Sequence, residues 1–319
     1  MKNKISNSFV LLALLGAAGA AYGQHAEDLP QLGGRTSDDL VIDTKNKRYQ
    51  IGDEWGKLPV SDEELESNDV YRRTALATAK VGGATGFYLG EFSGEHVMAT
   101  NNHVMSSRFG CNQVTFPIKN LRFRCKEFLG TWKNIDLTLF TIKVKGAGEK
   151  EYLQSIAQNF DFDADIAIET PLITAGFGIA ENRSRRLMVN QDDDCKSFSK
   201  PGEYRLMRDP DDVNPGPNKV WSFAVGCDVS HGDSGSAMVD RNTGHVVGLI
   251  WTGRIPKAER VQKSDYLDLI LTEDNSEEIW GQLNYAVPAE QIKMILEGDI
   301  EAGKIAGTAK DIILAMLEK

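Results

Sequence analysis

The chain has 319 residues, a formal net charge of −10, 41% hydrophobic residues and four cysteines. At about 150 residues per domain, this length predicts two domain-sized units that can bury a core without disulfide bonds. The hydrophobic fraction excludes a wholly disordered chain, and the negative charge argues against a protein that binds nucleic acid.

The first 23 residues have the pattern of a secretory signal peptide. Lys2 and Lys4 precede an uncharged apolar stretch, Phe9–Ala21, and the small residues Ala21 and Gly23 lie at the positions before Gln24 that a signal peptidase reads. The stretch is shorter than the roughly 20 residues that a membrane span needs, which favours a cleaved signal over a membrane anchor. We therefore expect cleavage before Gln24 and a secreted or periplasmic protein with no membrane span after cleavage.

Two segments between the leader and the first predicted strand have distinct compositions. Residues 24–38 are polar and include Pro30 and Gly33, so we expect a pro-segment or linker there. Farther along, Ser61 precedes three acidic residues, which favours a short helix capped by the Ser61 side chain.

A series of short apolar or alternating runs begins at Thr74 and predicts strands. The runs are TALATAKV, TGFYLG, HVMAT, VTFPI, LRFRC, LTLFTIKV, PLITAGFG, RRLMVN, KVWSFAV, SAMVD and HVVGLIWTG. The segments Val81–Ala84, Phe92–Glu95 and Asp240–Gly244 separate strands and have the composition of hairpin turns. Strands at this spacing are typical of an all-β sandwich or barrel.

Helices are predicted mainly near the end of the chain. Helical periodicity occurs near residues 150–159 and again after Pro288, whose position suits a first helical turn. A second terminal helix is predicted over 311–319. It has one apolar face, which we expect to pack on the barrel rather than to enter a membrane.

Three segments carry the residue types that acyl-group hydrolysis needs. His103 follows a predicted strand, Asp136 begins another, and Ser234 lies in a loop between glycines. A serine hydroxyl is a poor nucleophile unless an imidazole takes its proton, and the imidazole needs a carboxylate that fixes its tautomer. We therefore expect Ser234 to be the nucleophile, His103 the general base and then acid, and Asp136 the residue that orients His103.

The glycine two residues before the serine has a role of its own. Gly232 lets the loop turn so that the backbone N–H groups of Gly232 and Ser234 converge on a developing oxyanion. Position 236 is a serine, so the loop does not match the strand-turn-helix elbow of another hydrolase class.

Two alternatives stay open at these positions. Asp165 also heads an apolar run and is a rival to Asp136 as the third member of the triad. His231, three residues before Ser234, is the second candidate for a functional histidine, and we expect it at the rim of the cleft.

The three segments resemble those of the trypsin-like serine proteases. Gly232–Ser236 matches their nucleophile motif, Ala99–His103 their histidine motif and Asp136–Phe140 their aspartate motif, in the same order. Within that clan the chain is most similar to the bacterial branch around the glutamyl endopeptidases. The segments that match this branch are Val41–Arg48, Cys227–Ser236 and Asn284–Ile292.

The resemblance implies an all-β, chymotrypsin-like fold of two six-stranded antiparallel β barrels with a C-terminal helix and the active site between the barrels. It implies a protease domain over residues 39–299 and a helical tail over 300–319. The implied function is that of a secreted serine endopeptidase, a monomer that cleaves protein or peptide substrates through an acyl-enzyme without a cofactor. The alternative is a catalytically silent protease-like protein that only binds a partner.

The resemblance also assigns three residues around the nucleophile. An aspartate at the position of Asp233 often pairs, in this family, with the ammonium that zymogen cleavage frees, which implies a zymogen whose oxyanion loop Asp233 supports. Asp228 occupies the position of the aspartate that selects arginine or lysine in trypsin, which implies cleavage after basic residues, although bacterial relatives without that preference carry it too. Gly253 is expected to leave the pocket wall open. The histidine with which glutamyl endopeptidases bind acidic side chains is absent from the matching stretch, Gly248–Trp251.

The exported compartment makes the four cysteines candidates for two disulfide bonds. Of the three possible pairings, we expect Cys111 with Cys125 and Cys195 with Cys227, each of which would hold a loop near the cleft. The sequence contains no zinc-ribbon or metalloprotease motif, and we expect no metal.

Overall fold

The computed structural model describes residues 50–110, 112–164, 166–180, 185–210, 216–253, 262–272, 280 and 283–319. The expected signal peptide and pro-segment lie outside the described residues, and so do Cys111 and Asp165.

The first β unit is a closed antiparallel barrel with the strand order β2-β3-β4-β7-β6-β5. Pairing of β2 with β5, in which Val81 lies opposite Val114, closes it. Its strands are β2 (Thr78–Val81), β3 (Ala84–Phe92), β4 (Glu95–Thr100), β5 (Gln113–Phe116), β6 (Leu121–Trp132) and β7 (Leu137–Lys143).

The first two hairpins of this barrel lie where the sequence predicts them. Val81–Ala84 connects β2 to β3, and Phe92–Glu95 connects β3 to β4. In the second turn Ser93 and Gly94 have φ values of 49° and 79°. Positive φ at both central residues is what a type I′ hairpin turn requires. The pairings of β2 with β3 and of β3 with β4 confirm both predicted turns.

The second β unit is one large sheet with the strand order β1-β9-β8-β12-β13-β14-β11-β10. The expected fold class is confirmed, since an all-β molecule pairs a closed barrel with a second large sheet. This sheet has two strands more than the six expected, because β1 adds to β9 at one end and β10 adds to β11 at the other. Its strands are β1 (Lys57–Pro59), β8 (Leu172–Gly176), β9 (Met188–Asn190), β10 (Arg205–Met207), β11 (Val220–Val225), β12 (Ala237–Asp240), β13 (Val246–Thr252) and β14 (Asn284–Pro288).

The helices lie outside the two β units. They are α1 (Asp62–Ser67), α2 (Asp69–Ala77), α3 (Ala147–Ser155), α4 (Ser264–Thr272), α5 (Ala289–Glu301) and α6 (Gly307–Leu317). The cap expected at Ser61 is confirmed, because its side chain accepts the N–H of Glu64 at 3.3 Å in the first turn of α1.

The sequence prediction is wrong for the first half of the run Thr74–Val81, which was expected to be strand throughout. Thr74–Ala77 is the end of α2, and the strand begins only at Thr78. The side chain of Asn68 caps α2 by accepting the N–H of Tyr71 at 3.0 Å. That cap starts a helix that continues through the alanines, which favour it.

One apolar cluster joins the two β units and the C-terminal helices. It includes Leu137 of β7, Val239 of β12 and Leu296 of α5. α6 buries Ile312 and Ile313 in the same cluster. Within the described part of the chain, no helix has the length and apolar character that crossing a bilayer requires. The shared core brings loops from both β units together, and the candidate site lies where they meet.

Candidate active site

His103 and Asp136 form a hydrogen-bonded pair on the first barrel. His103 follows β4, and Asp136 lies in the turn between β6 and β7. The ring Nδ1 of His103 lies 2.6 Å from Asp136 Oδ2, and the backbone N–H of His103 donates to Oδ1 at 3.0 Å. The two contacts fix the ring relative to the carboxylate, and they leave Nε2 as the ring nitrogen that can exchange a proton with another group.

The backbone around Asp136 explains why this residue holds its position. Asp136 has a φ of 36°, in the left-handed region that aspartate tolerates better than most residues. Its carbonyl oxygen accepts hydrogen bonds from the Asn101 side chain and from the Asn102 N–H, both at 2.9 Å. The loop that carries His103 therefore binds both the backbone and the side chain of Asp136.

The surroundings of His103 favour its protonated form. Partial desolvation of the ring acts to lower its pKa, although 48% of the side-chain surface is exposed. The hydrogen bond and the charge of Asp136, together with the charge of Asp209, outweigh this effect and raise the pKa of His103 above its ordinary value. A base with a raised pKa takes up a proton readily when a nucleophile releases one.

Ser234 lies in a tight loop directly before β12. Gly232 has a φ of 103°, and a Cβ atom there would lie 2.6 Å from the carbonyl oxygen of Phe177. Gly235 has a φ of 88° and would bring a Cβ atom to 2.2 Å from the carbonyl oxygen of Thr85. Only glycine fits at positions 232 and 235, so the loop around Ser234 needs a glycine on each side.

Thr85 of β3 connects this loop to the first barrel. Its hydroxyl donates to the carbonyl oxygen of Gly232 at 2.7 Å, and its N–H donates to the carbonyl oxygen of Ser234 at 3.1 Å. Both carbonyls point toward Thr85, so the loop is held from the side of the first barrel. Within the part of the chain that the structure describes, neither Gly232 N nor Ser234 N donates to a protein acceptor. These two N–H groups are the ones that the sequence assigns to an oxyanion hole.

A cleft of about 160 Å³ contains both His103 and Ser234. His231 and Gly253, which the sequence places at the rim and in the pocket wall, line it as well. The structure thus brings the predicted nucleophile, the predicted base and one of the two predicted pocket residues, Gly253, to one cleft, and Asp136 lies behind His103.

Asp228 is not among the residues that line the cleft. It is fully buried, and its two carboxylate oxygens accept the N–H groups of Ile51 at 2.8 Å and Gly56 at 2.7 Å. Burial raises the pKa of Asp228 well above its ordinary value, although the two N–H groups act in the opposite direction. We call residues 50–57 the strap. Its backbone N–H groups therefore bind the carboxylate that the sequence assigns to substrate selection.

Asp233 is buried beside the cleft and pairs with an ammonium, but the ammonium belongs to a lysine side chain. Lys57 Nζ lies 2.5 Å from Asp233 Oδ1, and both side chains are 1% exposed. Sequence reasoning missed Lys57, because nothing near residue 57 in the sequence indicates a contact with a loop so distant in the chain.

Asp209 is the second functional candidate that sequence reasoning missed. It lines the cleft, and its carboxylate accepts a hydrogen bond from the hydroxyl of Thr252 at 2.6 Å. It also contributes to the raised pKa of His103. It lies in no apolar run or motif, so only the tertiary structure reveals it.

The disulfide bond between Cys195 and Cys227 is confirmed, and both residues are fully buried. It directly precedes Asp228 in the chain and so ties the base of the nucleophile loop to the segment before β10. Cys125 is also disulfide-bonded. Its expected partner, Cys111, lies outside the described residues. In the described ranges, the His, Cys, Asp and Glu side chains form no group that could hold a metal ion.

No family model and no curated protein matches this chain. Solved structures with a similar fold include two of the Rv3671c protease from M. tuberculosis H37Rv, each 17% identical to this chain over 78% of its length and all of theirs. The inactive form of a serine-to-alanine mutant has a TM-score of 0.49, and another structure of the inactive form has a TM-score of 0.45. A likeness at these values carries no argument about activity, so the fold assignment rests on the strand topology described above.

Proposed function

We propose that this protein is a serine endopeptidase that cleaves peptide bonds through an acyl-enzyme. The observation that carries the proposal is that His103, which contacts Asp136 at 2.6 Å, lines the same cleft as Ser234. In the proposed mechanism His103 takes the proton of Ser234 as the hydroxyl attacks the carbonyl carbon, and then donates it to the leaving amine. The N–H groups of Gly232 and Ser234 bind the oxyanion.

Export of the enzyme is part of the proposal. It is supported by the leader-like pattern over residues 1–23 and by the disulfide bond between Cys195 and Cys227. We propose residues 39–299 as the peptidase domain and 300–319 as its helical tail. A place in the glutamyl-endopeptidase branch rests on sequence motifs alone, and the stretch Gly248–Trp251, which lacks the acid-binding histidine of that branch, lines the cleft with Ile250 and Trp251.

A preference for basic side chains before the scissile bond is the proposed specificity. Backbone N–H groups of the strap bind the Asp228 carboxylate, so Asp228 does not support this preference. Asp209 supports it instead, because a carboxylate in the cleft next to His103 attracts a cationic side chain of the substrate.

The direct test of the proposed function is Ser234→Ala. We expect this variant to lose peptide hydrolysis and reaction with a fluorophosphonate, because in the proposed mechanism the acyl-enzyme forms on the Ser234 hydroxyl. Ser236→Ala is the matched control, since Ser236 lies two residues away but is fully buried and does not line the cleft. Hydrolysis that survives in Ser234→Ala would exclude the mechanism. A wild-type protein that neither cleaves peptides nor reacts would favour a protein that only binds a partner.

A further inference from the structure

The buried ion pair between Lys57 and Asp233 joins the strap to the residue next to the proposed nucleophile. At 2.5 Å the contact is an ion pair rather than an aligned hydrogen bond, and each side chain is 1% exposed. Removing one partner of a buried ion pair leaves an uncompensated charge and strongly destabilises a fold. Lys57 therefore compensates a charge that the protein places directly before Ser234.

The Asp233 carboxylate also organises the loop around it. Oδ1 accepts the N–H of Gly178 at 2.8 Å, and Oδ2 accepts the N–H of Ser230 at 2.8 Å. The same side chain thus fixes the start of the loop at Ser230 and the neighbouring segment at Gly178. The peptide groups on either side of Asp233 carry the N–H groups of Asp233 and Ser234. The fixed position of the Asp233 side chain therefore helps to set the orientation of the Ser234 N–H group.

The strap is anchored along its length, so the Lys57 ammonium has a fixed place. Lys57 is in β1 and pairs with Asn190 of β9. Ile51 is fully buried, and its N–H binds Asp228, as does that of Gly56. Asp228 and Asp233 lie at the two ends of the segment that leads to Ser234, and the strap binds both of them.

We propose that Lys57 is a positioning residue that holds the loop of Ser234 in its competent conformation, without a cut that frees a new chain terminus. The proposal rests on the proposed function. Lys57 supplies from within the continuous chain the positive charge that Asp233 needs, so the loop is formed while the residues before the strap are still attached. The proposal departs from the expectation of a zymogen that a freed ammonium activates, and that expectation stays a prediction.

The first test is Lys57→Met, which keeps the length of the side chain and removes its charge. We expect kcat for a fluorogenic peptide and the rate of Ser234 labelling by a fluorophosphonate to fall by about 100-fold or more, the scale of losing an oxyanion donor. We expect KM to change little, because Lys57 does not line the cleft. Lys150→Met is the control, since Lys150 forms an exposed ion pair with Glu91 on the first barrel. Circular dichroism verifies that each variant is folded.

A double-variant cycle separates positioning from a general loss of stability. Asp233→Asn breaks the same pair, and Lys57→Met combined with Asp233→Asn leaves neither member of the pair as an unpaired buried charge, so we expect the double variant to fold even if Lys57→Met does not. We expect the double variant to lose no more kcat than Asp233→Asn alone, because either change removes one shared interaction. The proposal would be overturned if the kcat loss of the double variant equalled the combined losses of the two single variants. It would also be overturned if a folded Lys57→Met kept its kcat and its rate of Ser234 labelling.

The second test uses wild-type protein whose mass verifies that the chain is uncut from Gln24 to residue 50. We expect stoichiometric labelling of Ser234 in this form. Labelling that occurs only after a cut in that region would overturn the proposal. A wild type that is never labelled, cut or uncut, contradicts the proposed function itself, whereas equal labelling of wild type and folded Lys57→Met contradicts only the role of Lys57.

Discussion

At the scale of single residues, the proposed mechanism makes activity depend on pH through His103. In that mechanism the neutral ring is the general base, and Asp136 and Asp209 raise its pKa. We therefore expect kcat/KM to rise with pH, with a midpoint above about 6.5, the ordinary value for histidine. Asp209→Asn removes one of the raising charges, so its midpoint should lie at lower pH than that of the wild type. A pH profile of both proteins checks this, and coincident midpoints would contradict the assigned influence of Asp209.

Asp209 and Asp228 are expected to differ in their effect on substrate selection. Asp209→Asn should reduce the preference for lysine and arginine before the scissile bond, because it removes the negative charge from the cleft. Asp228→Asn should leave the preference unchanged and lower the melting temperature, because its partners are Ile51 and Gly56. Cleavage profiles on a peptide library measure both. If Asp228→Asn alone removes the preference, the assignment to Asp209 is wrong.

The site residues differ in how far the sequence could predict them. His103, Asp136 and Ser234 lie in short local motifs, so their chemistry can be recognised from the sequence alone. Lys57 and Asp209 reach the site only through folding, and they lie in ordinary polar sequence. No local pattern distinguishes a lysine that pairs with Asp233 from one on the surface.

At the scale of elements, the Cys195–Cys227 bond closes a loop with a sequence separation of 32 residues. In the chain-entropy account, replacing both cysteines with serine lowers the free energy of unfolding by roughly 3 to 4 kcal/mol. Urea denaturation of the variant and the wild type measures the difference. A loss below about 1 kcal/mol would mean that the bond does not restrain the unfolded chain as this account requires.

Helix starts and hairpin turns can be predicted from the sequence where neighbouring residues alone determine them. The turn residues at Phe92–Glu95 and the cap at Ser61 identify a hairpin and a helix start without tertiary information. The run Thr74–Val81 was not resolved, because the cap at Asn68 extends a helix into residues that also suit a strand. β1 was missed because it adds to β9 from a distant part of the chain.

At the scale of the whole molecule, the arrangement of the two β units explains why the cleft exists. His103 comes from the closed barrel and Ser234 from the loop before β12 of the second sheet. The shared apolar cluster and the contacts of Thr85 hold the two units together at that point. The all-β class and the separation into two units followed from strand spacing and family resemblance. The closure of one unit and the two added strands of the other depend on pairings between strands far apart in the chain.

The most direct test of the central claim is to map a fluorophosphonate adduct on the intact wild-type protein by peptide mass spectrometry. We expect one adduct, on Ser234, that is lost in His103→Ala, because the hydroxyl then lacks its base. An adduct on another serine, or no adduct on a folded protein, would contradict it.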